Sequence, residues 1–132
     1  MGESIQSYQD LLVWREAMAL AVSCYVVTRT FPREELFGLT SQVRRAAASI
    51  PANVAEGYGR EHTQSFIQSL RIAQGSLKEL ETHLLLAERV GVASEQAVAD
   101  PLKQCQAVGK MLRALIRSLQ KKVSAKSRTG EP

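Results

Sequence analysis

Two histidines and two cysteines are the most reactive side chains of this 132-residue chain, and their spacing decides what they could do. A di-iron carboxylate centre between helices needs Glu-x-x-His on two of them and a glutamate from each of the others. Here Glu79 stands four residues before His83, in a single copy, and His62 has only Glu61 beside it. Neither histidine has metal-ligand spacing, and no metal or cofactor is expected. Cys24 and Cys105 each fall on an apolar stripe, where a cysteine serves as a small buried hydrophobe. There is no Gly-x-Ser-x-Gly elbow, and Gly57-x-Gly59 is too short to cradle a phosphate. Helical ribonucleases that place an arginine five to seven residues before a histidine have no counterpart either. Those positions hold Ser76, Leu77 and Lys78 before His83, and Ala55, Glu56 and Gly57 before His62. The reading is a non-enzymatic protein.

Binding chemistry is better represented. Ser49, Asn53, Glu56 and Arg60 recur at spacings of four, three and four, which places them on one helical stripe. Ser76, Lys78, Glu79 and Glu81 form a second polar group further on. Such a stripe can be a solvated face, a network between helices or a docking site for a charged partner. We read Ser49, Asn53, Glu56, Ser76 and Glu79 as a structural network, because polar stripes commonly specify packing. Arg44, Arg45 and Arg60 are candidate phosphate contacts. Adjacent arginines point about 100° apart on a helix, so Arg44 and Arg45 are a weak pair.

The charge balance directs attention to the C-terminus. The chain has 17 basic and 13 acidic residues, a net charge of +4. Residues 1–116 balance at 12 against 12, so the whole excess lies from Arg117 onward. Lys121, Lys122, Lys126 and Arg128 could track a nucleic-acid backbone, or simply complement a helix dipole and aid solubility.

Four segments must position these residues. After Asp10, a candidate N-cap, two apolar stripes run side by side to Phe31-Pro32, wider than one helix seam requires. A second segment begins between Leu36 and Thr40 and ends at Gly57-Tyr58-Gly59, where glycines permit a left-handed cap. Pro51 inside it predicts a kink, and the surrounding alanines predict close approach of neighbouring helices. The third, capped by Thr63 and closed by Gly91, carries Phe66, Leu70, Ala73, Leu77, Leu80, Leu84 and Ala87 at strict four-three spacing. The fourth repeats that spacing from Leu102 to Val123, starting either at Ser94 or at Asp100-Pro101.

These segments predict an all-α, antiparallel up-down four-helix bundle over residues 1–123, followed by a disordered basic tail over 124–132. The hydrophobic fraction of 45% excludes a disordered chain. No apolar run approaches the ~20 residues of a membrane span. No secretory leader precedes the first helix, and the sparse cysteines suit a reducing cytoplasm.

Longer motifs add a resemblance. Phe31-Pro32-Arg33-Glu34-Glu35, Gly38-Leu39-Thr40-Ser41-Gln42-Val43-Arg44-Arg45-Ala46-Ala47 and Ser49-Ile50-Pro51-Ala52-Asn53-Val54-Ala55-Glu56-Gly57 resemble the bacterial 23S rRNA intervening-sequence proteins, sometimes called ribosomal proteins. The resemblance begins at Leu11-Leu12-Val13-Trp14 and continues through Gly75-Ser76-Leu77-Lys78-Glu79-Leu80-Glu81. It implies a four-helix bundle assembled into a ring-like homopentamer, and association with rRNA or another structured nucleic acid. A more distant likeness, to the accessory variability determinant of diversity-generating retroelements, implies the same kind of partner. The alternative is a protein-interaction scaffold with no nucleic-acid role.

Overall fold

The computed structural model describes residues 4–129, and side chains as far as Lys126. Ser7 caps a short 3-10 turn, Tyr8–Asp10, its hydroxyl accepting from the Gln9 amide at 3.2 Å. The Asp10 carboxylate closes the same turn, accepting from the amides of Gln6 (2.9 Å) and Ser7 (3.2 Å). Asp10 therefore caps this turn and not the first helix, which begins one residue after an extended Leu11. Helix α1 spans Leu12–Thr28 and buries Val13, Ala17, Leu20, Ala21, Cys24 and Thr28 along one side. Phe31 then turns into the core just ahead of Pro32.

A second 3-10 turn, Arg33–Glu35, leads into α2, Leu39–Gly59. Glu35 reaches forward to accept from the Leu39 amide at 3.1 Å, an acceptor for one of the amides that the start of a helix leaves free. Pro51 lies fully within α2 and is buried. At the far end, the left-handed residue is Glu61 (φ 55°), not a glycine. Gly57 serves packing instead. A Cβ there would stand 2.6 Å from Ser69 Cβ, so the missing side chain lets α2 and α3 touch.

Helix α3 spans Thr63–Arg89, and His62, rather than Thr63, is its cap, with Nδ1 accepting from the Ser65 amide at 3.3 Å. The heptad positions Leu70, Ala73, Leu77, Leu80, Leu84 and Ala87 are buried as the spacing predicts, while Ile67 is buried in place of the half-exposed Phe66. Gly91 takes φ 79° and Val92 donates back to the Ala87 carbonyl at 2.8 Å, the expected left-handed close.

Helix α4 spans Glu95–Thr129. Ser94 caps it, accepting from the Ala97 amide at 3.0 Å, so Pro101 sits buried in the second turn and does not start the helix. The backbone stays helical six residues past Val123, where a disordered tail is the expectation from sequence. No proline or glycine interrupts residues 124–129, and extending a helix costs far less than starting one. Gly130, Glu131 and Pro132 lie outside the described residues.

Packing is cyclic. α1 lies on α2, α2 on α3, α3 on α4 and α4 on α1, while among the described residues neither diagonal pair packs together. Consecutive helices joined by short turns in this order form an all-α four-helix bundle, with α1 and α3 at opposite corners. The described residues contain no strand.

Candidate functional site

The polar residues of α2 and α3 separate into three groups. Ser49 and Ser76 share a 2.8 Å hydrogen bond between helices, and Asn53 donates to the Ser49 carbonyl (2.8 Å) and hydroxyl (3.0 Å). These three half-buried side chains form one cluster. Glu56 instead pairs with Arg60 at 2.7 Å, both more than half exposed. Glu79 faces His83 at 3.6 Å. The five residues grouped in the sequence thus lie in separate places, and only Ser49, Asn53 and Ser76 converge. Among the described residues no cluster of three or more His, Cys, Asp or Glu could hold a metal.

The arginines are similarly dispersed. Arg44 reaches across to α1, donating through Nε to Thr28 Oγ1 at 2.8 Å, with its guanidinium 4.6 Å from the centre of the Tyr25 ring. Thr28 itself donates to the Cys24 carbonyl at 2.7 Å. Arg44 therefore clamps two helices together, and its charge is partly occupied by an aromatic face. Arg45, one position on, is exposed, and Arg60 is held by Glu56. Lys121, Lys122 and Lys126 are exposed on the last turns of α4, and the Arg128 side chain lies outside those described.

Cys24 and Cys105 are free, fully enclosed thiols. Burial pushes both up to about 12 from an ordinary 9.0. Neither supplies a thiolate at neutral pH, which removes them as nucleophiles.

One concave feature is strongly apolar. A groove of about 580 Å³ runs along α1 and α2, walled by Trp14, Met18, Val22 and Tyr25 and floored by Ala48 and Ala52. Val22 is 60% exposed and Val26 52%. Large apolar side chains are costly to leave in water at this density, and contiguous patches of this kind mark interaction surfaces. The alanines beside Pro51 divide accordingly. Ala46 and Ala47 let helices approach within the bundle, whereas Ala48 and Ala52 face outward as the groove floor. Helical spacing locates both sets but does not say which neighbour the second one meets.

The same residues lie within a recognised sequence pattern. That of the 23S rRNA-intervening sequence protein matches residues 9–114, most of the bundle. The chain belongs to this family. Among solved structures it is similar to a protein of unknown function from the S23 ribosomal protein family of Bacteroides thetaiotaomicron VPI-5482. The two share 24% identity, over 80% of this chain and 98% of that one, with a TM-score of 0.74. That likeness establishes a common fold. No curated protein matches the chain. The family pattern spans α1 to α3 and part of α4, and stops fifteen residues before α4 ends at Thr129. None of the described helices is long and apolar enough to cross a membrane.

Proposed function

We propose that this intervening-sequence family protein is a non-enzymatic cytoplasmic homo-oligomer, a pentameric ring, that associates with rRNA or another structured nucleic acid. The apolar groove on α1 and α2 is the observation that carries the assembly. Ile72, Leu85 and Leu86 on α3, and Val90 just past its end, are further exposed apolar side chains, carried by a helix that packs against α2 and α4 and not against α1. Unlike apolar surfaces carried by different helices suit head-to-tail contacts, which close into a ring when the rotation per subunit permits. A kink at Pro51, which lines the groove, would shape α2 to its neighbour. The subunit number comes from the family resemblance, and the rRNA association from the family's name.

Sedimentation tests the assembly. Val22→Glu with Val26→Glu places two charges in the groove without touching the core, and is expected to yield folded monomers. If the double variant sediments as the wild type does, the groove is not the subunit contact. The groove also favours a second reading, a scaffold that receives an apolar helix of a partner protein. Monomeric wild-type protein that is indifferent to RNA would favour that scaffold.

A further inference from the structure

From Pro101 to Thr129, α4 carries eight lysines and arginines and no carboxylate. Division of the chain at Arg117 hides this, because Lys103, Lys110 and Arg113 are then counted with a neutral body. On one continuous helix the pattern is different. At 100° per residue, Lys103, Lys110, Arg113, Arg117 and Lys121 fall within an arc of about 80°, opposite the buried face formed by Cys105, Leu112 and Ile116. All five are exposed. At 1.5 Å per residue, the stripe is ~27 Å long.

Two ordinary explanations do not account for it. A helix dipole favours cations only in the last turn, which covers Lys126 and Arg128 but not Lys103, Lys110 or Arg113. A merely solvated face mixes charges, as α3 does, where Lys78 pairs with Glu81 and His83 faces Glu79. On α4 none of the five cations has a carboxylate partner among the described residues. Arg113, Arg117 and Lys121 stand at successive i,i+4 positions, where like charges repel. An extended polyanion laid along the stripe removes that repulsion and releases its own counterions.

We infer that this stripe of α4 is a ridge that contacts the sugar–phosphate backbone of a nucleic-acid duplex, reading charge and shape and not sequence. The inference rests on the nucleic-acid reading above, and moves its site from Arg44, Arg45 and Arg60 to the outer face of α4. Lys122 and Lys126 lie about 100° or more from the centre line of Lys121 and are outside the ridge.

The test is fluorescence anisotropy of a labelled RNA hairpin, and of a DNA duplex of equal length, with the full chain across a salt series. The quadruple variant Lys110→Gln, Arg113→Gln, Arg117→Gln, Lys121→Gln removes four phosphate contacts. The salt slope should fall by about 3 to 4, with affinity down at least about 100-fold near 0.1 M salt. A charge-matched control, Arg33→Gln, Arg45→Gln, Arg71→Gln, Arg89→Gln, should keep nearly the wild-type slope. The swap Lys110→Arg, Arg113→Lys, Arg117→Lys, Lys121→Arg should restore binding, which separates lost contacts from a lost fold. Whichever duplex responds this way identifies the source of the phosphates. Equal losses in both quadruple variants would overturn the ridge, since net charge alone would then explain binding. Unchanged binding by the α4 variant would overturn it too, while the nucleic-acid reading stood. Failure of the wild type to bind either duplex would remove the nucleic-acid reading itself, and the ridge with it.

Discussion

Single atoms decide several properties of this bundle. Gly57 and Gly75 are both helical glycines, yet their surroundings oppose one another. A Cβ at Gly57 would meet Ser69 Cβ at 2.6 Å, whereas one at Gly75 would meet nothing within 4 Å. Gly57→Ala should therefore destabilise the fold by about 1–3 kcal/mol through overpacking. Gly75→Ala should stabilise it by up to ~1 kcal/mol through helix propensity. Urea unfolding of the two variants checks both signs. The enclosed thiols give a pH dependence. Burial holds Cys24 and Cys105 protonated up to about 12, against an ordinary 9.0, so the unfolded chain loses their protons first. Their contribution is complete below pH 9 and declines as pH rises from 9 towards 12. Urea midpoints should fall in that window, and Cys24→Ala with Cys105→Ala should flatten the decline. Arg44→Ala should cost about 1–2 kcal/mol, since it removes both the Thr28 hydrogen bond and the Tyr25 contact. It should leave the salt slope for RNA where it was.

At the scale of the helix, what could be read from sequence depended on how many signals agreed. The α3 seam was legible because seven apolar residues repeat without interruption and a left-handed glycine ends them. The start of α4 was not, because Ser94 and Asp100-Pro101 are both valid openings and only packing chooses between them. The structure chooses Ser94, so Ser94→Ala should cost about 1 kcal/mol. A helix beginning at Pro101 would leave that substitution neutral in thermal unfolding. Local signals were also misleading at the α2–α3 turn. His62 takes the cap that Thr63 offers, and Glu61 the positive φ that Gly57 and Gly59 offer. A glycine held for close packing and one held for a turn are identical in sequence. The polar network was half legible, since spacing finds a stripe but cannot show that Glu56 turns to Arg60 while Ser49 turns to Ser76.

The whole molecule combines two surfaces that a stable monomer does not require. One is the apolar groove of α1 and α2, the other the cationic outer face of α4, and both lie outside the core that folds the chain. In a bundle whose helices pack cyclically these surfaces occupy different sides, so subunit contact and phosphate contact need not compete. A ring would also repeat the ridge once per subunit, multiplying weak backbone contacts into useful avidity. The most direct test is sedimentation velocity of the full chain mixed with a labelled RNA hairpin, followed at the label's wavelength. The RNA is expected to move with a protein particle of about 73 kDa, five copies of the 14.5 kDa chain. A 14.5 kDa protein boundary, or RNA left behind by the larger particle, would contradict it.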